Sequence, residues 1–273
     1  MLQAIISPAK QMATNSETFL PKGIPPFPAK TAQLVNALHE LEHRDGPFGL
    51  KALWRVSDKL LAENVERLHA FSPVMDEREL DDPATARLVS PAIFSYVGIQ
   101  FRSMAPEVMG LDELEWLQGH LWVLSGLYGC VRPFDAVEPY RLEMGAKLAV
   151  DGARDLYGFW GDVIAQAICG NDEPRHEPCT VINLASVEYA KAVLPHLPAS
   201  AKAVTCVFGE GLRNGKPVQR ATASKIARGS MVRWMAEHAV EDARDLTRFD
   251  VGYTFAPELS SADESTLVFV RND

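Results

Sequence analysis

The chain has 273 residues, of which 47% are apolar and 23% charged, and its 27 Lys and Arg stand against 36 Asp and Glu for a formal charge of -9. That balance allows one large domain with a substantial core and excludes wholesale disorder and fibrous repeats. It also excludes a membrane-spanning helix, because every apolar run stops short of the roughly 20 residues a bilayer requires.

In chain order, residues 2–6 read as a buried strand ended by Ser7-Pro8-Ala9-Lys10, which puts Lys10 at a strand end. The start Met1-Leu2-Gln3-Ala4-Ile5-Ile6 lacks the features of a secretory signal, so a cytoplasmic location is expected. Four prolines keep residues 21–30 extended. Thr31 is expected to cap a helix running to Gly46-Pro47, and a second helix covers residues 50–71. Residues 91–97 suit a strand. Asp112 and Glu115 suit a capping box opening a helix through Leu124, in which Leu114, Leu117, Leu121 and Leu124 repeat at helical spacing. Strands follow at residues 180–184 and 203–208, a hairpin turn at Asn214-Gly215, a helix from Ser224 to His238, and a closing strand at Thr266–Arg271. With no repeat or linker, the expectation is a single mixed α+β domain over residues 1–273.

Chemistry is harder to place. Neither a P-loop nor a dinucleotide-binding glycine pattern occurs, and no G-x-S-x-G elbow is present. Cys130, Cys169, Cys179 and Cys206 form no C-x-x-C pair and read as buried free thiols. His39 and His43 are four apart, but no third ligand is evident: Glu40 and Glu42 are assigned to other faces, and His69 and His120 stand alone. No metal and no cofactor are expected. The negative total argues against nucleic acid. However, residues 76–82 and 107–115 each carry -4 and residues 241–273 carry -5, leaving +4 elsewhere, so a basic cleft on an acidic molecule is compatible with the sequence.

The motifs point further. Ser7-Pro8-Ala9-Lys10, Ser57-Asp58-Lys59-Leu60 with Asn64 and Arg67, Leu124-Ser125-Gly126-Leu127-Tyr128-Gly129, Arg132-Pro133 with Asp135, and Pro139-Tyr140-Arg141-Leu142-Glu143-Met144-Gly145 recur in order. They continue through Leu156-Tyr157, Phe159-Trp160-Gly161-Asp162, Ile182-Asn183-Leu184-Ala185-Ser186, Glu188-Tyr189 and Ala227-Arg228-Gly229. On these residues the chain resembles the YaaA family of bacterial peroxide stress proteins over almost its whole length. The resemblance implies protection during hydrogen peroxide stress by limiting unincorporated iron and oxidative DNA damage. It also implies DNA binding through a helix-hairpin-helix element and a positively charged cleft, on a family-specific fold. Two cationic positions of the family pattern are replaced, within Ser95–Phe101 and at Ile226.

On that reading the helix ending at Leu124 with Gly126 and Gly129 forms the hairpin, its N–H groups facing a phosphate, or else the glycines are an ordinary helix terminus. Lys225 and Arg228, placed in the first turn of a helix, are the leading phosphate ligands, and Lys10, Lys59, Arg67, Arg132 and Arg141 are further candidates. Arg67 has Glu63 as an alternative partner. The polar residues Ser7, Asp58, Asn64, Tyr140, Glu143, Asn183 and Ser186 instead favour an enzyme of unnamed reaction on a small anionic substrate such as a nucleotide, because a phosphate track needs cations and little else. The expected partner is DNA contacted through its backbone, with no membrane; whether the chain is an enzyme stays open.

Overall fold

The computed structural model describes residues 1–14, 19–170 and 178–272. Its frame is a sheet of β1 (Leu2–Ile6), β2 (Leu121–Ser125), β3 (Gly129–Val131), β4 (Thr180–Leu184), β5 (Lys202–Gly209), β6 (Tyr253–Phe255) and β7 (Thr266–Arg271). Across the sheet the order is β6-β7-β5-β4-β1-β2-β3. The strands from β7 to β2 run parallel, and the edge strands β6 and β3 are antiparallel to their neighbours. Every residue of β1 and β2 is buried, as expected for strands covered on both faces, and apart from Gln3 and Ser125 their residues are apolar instead of alternating.

The strand order reverses at β1. The chain passes from β1 to β2 and β3 on one side, whereas β4, β5 and β7 follow one another on the other. Register from Leu2 opposite Thr180 to Ile6 opposite Leu184 brings the carboxyl ends of β1 and β4 out side by side. Open sheets with parallel strands form their ligand crevices at such a reversal.

The principal helices are α1 (Pro28–Trp54), α2 (Asp58–Ala70), α3 (Ile99–Met104), α4 (Leu111–His120), α5 (Val163–Cys169) and α6 (Ala221–Glu237). The mixed helix and strand architecture matches the sequence reading, while several boundaries do not. α1 starts at Pro28, whose fixed φ suits a first helical position, and Thr31 lies inside it, buried, donating its hydroxyl to Leu127 O at 3.3 Å. Gly46, at φ 66, kinks α1, and Arg55, at φ 52, ends it, so residues 50–54 belong to α1 and the next helix starts only at Asp58. Between Ser90 and Val97 a one-turn helix, Ala92–Ser95, separates two short strand segments. α4 opens at Gly110, whose N–H is accepted by the Glu113 carboxylate, and it stops at His120.

That last boundary overturns the hairpin assignment. Leu121 and Leu124 continue the helical spacing of Leu114 and Leu117 but lie in β2, where pairing with β1 and β3 outweighs local periodicity. Gly126, Leu127 and Tyr128 form a buried turn between antiparallel strands, not a helix-hairpin-helix connection. Its polar groups are used internally: Ser125 Oγ accepts from Leu127 N at 3.2 Å and Tyr128 N at 2.8 Å, and the Gly126 carbonyl accepts from Trp160 Nε1 at 3.1 Å. A Cβ on Gly126 would lie 2.5 Å from Leu142 O, so this glycine serves close packing.

α6 begins three residues before the expected start, which moves Lys225 and Arg228 beyond the first turn and removes the dipole argument made for them. Asn214 and Gly215, both at positive φ, do turn a hairpin, but it joins only Leu212–Arg213 to Lys216–Pro217. Cys169 and Cys179 form a disulfide across a Cα separation of 5.5 Å, correcting the reading of four free thiols; Cys130 and Cys206 are free and buried. No helix among the described residues is long and apolar enough to cross a membrane.

Two buried carboxyls, Asp135 and Glu138, give stability a pH dependence. Asp135 accepts from Arg132 N at 2.7 Å and Glu138 from Ser72 N at 3.1 Å, yet burial pushes each up to about 7. Between about pH 4 and 7 the folded chain therefore holds protons that the unfolded chain has released, so these two groups make stability fall as pH rises through that window. Asp242 and Asp263, held down to about 2 by hydrogen bonds, act in the opposite sense only below about pH 4. Calorimetry should show a higher melting temperature at pH 5 than at pH 8. Asp135→Asn, whose amide oxygen still accepts from Arg132 N, should reduce the stability lost between pH 5 and pH 8 by roughly 2–4 kcal/mol, and an unchanged loss would refute the assignment.

Candidate functional site

A cleft of about 580 Å³ opens where β1 and β4 end. Ser7, the residue after β1, and Ser186, two residues after β4, meet there: Ser7 Oγ accepts from Ser186 N at 2.8 Å and lies 3.1 Å from Ser186 Oγ. Gln100 on α3 donates to Ser7 O at 3.1 Å and joins that helix to the same floor. Tyr140 lines one wall, and its hydroxyl shares hydrogen bonds with Ser125 Oγ at 2.6 Å and Tyr96 Oη at 3.2 Å, so the buried β2–β3 turn supports the cleft from behind. Burial raises the Tyr140 pKa above the ordinary phenol value, which keeps it a neutral hydroxyl and not a base.

Four cations reach the cleft, Lys10, Arg141, Lys225 and Arg228, against two carboxylates, Glu143 and Glu188. Glu143 Oε1 is shared by Arg141 at 2.7 Å and Lys10 at 3.0 Å, and Arg141 also donates to Lys10 O at 3.1 Å. Glu188 accepts from Gly145 N at 2.8 Å. Lys225 and Arg228 have no ion pair among the described residues. The lining therefore carries two more cations than carboxylates on a molecule of net negative charge. The Nε atoms of Arg141 and Arg228 are buried and lack a partner among the described residues. Burial lowers the Arg228 pKa, but a guanidinium keeps its charge at any physiological pH. Leaving a buried donor unmatched costs about 1–3 kcal/mol, which an incoming anion would recover.

α6 delivers Arg228 to this position through Gly229. A Cβ there would stand 2.0 Å from Gln100 O, so only glycine lets α6 lie directly on α3. Helix contact, cleft floor and cationic wall are thus one mechanical unit.

The structure gathers Ser7, Lys10, Tyr140, Arg141, Glu143, Ser186, Lys225 and Arg228 at the cleft. Others lie outside its lining. Arg132 is directed inward, stacked 3.8 Å over Trp122 and donating to Gln3 Oε1 and Gly119 O at 3.0 Å each, so it serves the core. Arg67 pairs with Glu63 at 2.6 Å and donates to Met12 O. Asp58 is exposed and bound to Lys51; Lys59 is exposed too, although the next residue, Leu60, touches the cleft. Asn64 is buried on Leu60 O, and Asn183 joins Thr205 Oγ1 and Ala185 N in the sheet. Gly126 and Gly129 are interior. Sequence reasoning missed Gln100, Glu188 and Tyr189 as lining residues; the signal for the last two was their closeness to Ser186 at a strand end.

Comparison with known proteins agrees with the motifs. The sequence profile described as peroxide stress protein YaaA matches residues 2–259. A UPF0246 protein of Pediococcus pentosaceus is 39% identical over 273 residues, covering 100% of this chain and 99% of that one. Those of Lachnoclostridium phytofermentans (38% over 274 residues, 100% and 97% covered) and Lactiplantibacillus plantarum (39% over 269 residues, 98% and 99% covered) are similar throughout. With a family profile spanning nearly the whole chain and full-length relatives at this identity, the chain belongs to the peroxide stress protein YaaA family.

Proposed function

We propose that this chain protects DNA during peroxide stress by binding the polynucleotide backbone at the cleft between the ends of β1 and β4, as part of a response that also limits unincorporated iron. The observation that carries the DNA half is Arg228: a guanidinium drawn into the cleft wall, its Nε buried and without a partner among the described residues, beside Lys225, which has no ion pair among them either. A cation held there without a carboxylate is arranged for an external anion, and phosphodiesters are the anions a cleft of this size and charge receives along a strand. The peroxide setting rests on family membership.

Fluorescence anisotropy on duplex DNA between 50 and 200 mM salt tests this reading. Affinity should fall steeply across that range, since each phosphate neutralised adds about 0.9 to the log–log slope. Binding that is absent at 50 mM salt, or indifferent to salt, would end the DNA proposal. For the iron half, electron paramagnetic resonance of chelatable iron in a deletion strain after peroxide exposure should show a rise over the parent strain; equal signals would remove it.

A second reading has its own support, because the cleft lies at the strand-order reversal of a parallel sheet and holds Ser7, Ser186 and Tyr140 among the cations. These features suit a small anionic molecule such as a nucleotide. Of the two acid or base candidates named from the sequence, Asp58 lies elsewhere and Glu143 is at the cleft, where it is occupied by Lys10 and Arg141. Displacement of bound DNA by millimolar mononucleotide would favour this reading.

A further inference from the structure

The seam between α1 and α2 holds a cluster that the cleft does not use. His39 and Glu42 stand one turn apart on α1, and His69 reaches them from the end of α2. His69 Nε2 lies 2.8 and 3.0 Å from the two Glu42 carboxylate oxygens, and His39 Nδ1 lies 4.0 Å from Glu42 Oε2. The two imidazoles stack with ring centroids 6.0 Å apart, and one donor atom from each residue falls within 4.8 Å of the others. The Glu42 side chain is only 17% exposed, and among the described residues no Lys or Arg pairs with it.

We propose that His39, Glu42 and His69 bind a divalent first-row transition cation that clamps α1 to α2. Metal bonds of about 2.0–2.2 Å hold neighbouring ligand atoms roughly 3–3.5 Å apart. His69 Nε2 and Glu42 Oε1, 3.0 Å apart, stand at the short end of that spacing, so an entering cation replaces their hydrogen bond, and rotation of the partly exposed His39 ring closes the remainder. Two imidazole nitrogens and one carboxylate oxygen, open to water on the solvent side, select cations of the Zn²⁺ or Co²⁺ kind over Mg²⁺ or Ca²⁺, which prefer oxygen ligands. A largely covered carboxylate whose only ionisable partners among the described residues are imidazoles also gains a full countercharge when the cation enters. The neighbouring His43, four residues from His39, is exposed and outside the cluster, so it serves as an internal control.

The test is a titration of tag-free, chelator-treated full-length protein with Co²⁺ and Zn²⁺, followed by calorimetry and by the visible absorption of Co²⁺. The expected result is one equivalent bound, a melting temperature that rises until one equivalent is present, and no such rise with Mg²⁺. His39→Ala and His69→Ala should each weaken binding at least tenfold, Glu42→Gln should weaken it as well, and His43→Ala should not. Because an Ala variant could disturb the helix pair, a second readout uses the unaltered protein. Zn²⁺ should shield His39 and His69, but not His43, from diethyl pyrocarbonate, with the modified residues located by mass spectrometry. Less than one equivalent bound, retention of binding in the His39→Ala/His69→Ala double variant, or equal modification of all three histidines with and without Zn²⁺ would each overturn the proposal.

Discussion

Gly229→Ala is expected to lower the melting temperature by several degrees and, on the proposed function, to weaken DNA binding in the same variant. Two effects of opposite sign meet at this position. In an exposed helix interior the substitution would stabilise by about 1 kcal/mol, because alanine is the better helix former. Here the added carbon would lie 2.0 Å from Gln100 O and 3.1 Å from Met104 N, both backbone atoms that cannot rotate away. Overpacking of that kind costs about 1–3 kcal/mol and occasionally more, and for a chain of this length each kcal/mol moves the melting temperature by about 2–4 °C. The steric cost wins. Since α6 must then lift away from α3, Arg228 moves with it and Gln100 loses its geometry on Ser7, so function and stability fall together. A melting temperature at or above that of the parent protein would show that the two helices are not in the close contact described.

Arg228→Gln should leave the fold intact and reduce DNA affinity about tenfold near 100 mM salt, with a log–log salt slope smaller by about 1. Glutamine can still occupy the wall but brings no charge, so the change reports the ionic contact and not the packing. Lys225→Glu, on the exposed rim of the same helix, should reduce affinity and also slow association, because rim charges act mainly on encounter. Arg244→Gln removes an exposed cation already paired with Asp242 and should change neither quantity. Equal affinity for Arg228→Gln and the parent protein would detach the buried guanidinium from the ligand, and the cleft would then need another explanation.

Much of the cleft could be read from its motifs. Ser7 and Lys10 follow one largely apolar strand, and Ser186 follows another, so all three residues could be placed near strand ends from local pattern alone. Arg141 and Glu143, two residues apart in the motif Pro139–Gly145, are paired. Arg132 could not be told from them, because an arginine that stacks on a core tryptophan and one that faces a cleft carry the same local signature. The helix through Leu124 failed for a related reason. A run of leucines at helical spacing is also a run of apolar residues, and the last part of it became a strand because two other strands lay ready to pair with it.

The metal cluster shows the same limit. His39 and Glu42 share a helical face by spacing alone, a relation the sequence reading assigned wrongly, but His69 is remote in sequence and joins them only because α1 and α2 pack together. From the sequence alone came the family, the mixed class of secondary structure, the strand ends that carry Ser7 and Ser186, and the tally of charge that left room for a basic recess. Tertiary structure alone decided which cations face that recess, which glycines serve packing, and where the order of strands reverses. The reason is physical: periodicity and turn chemistry act over a few residues, whereas burial, strand pairing and the field inside a cleft depend on groups that meet only after the chain has closed on itself.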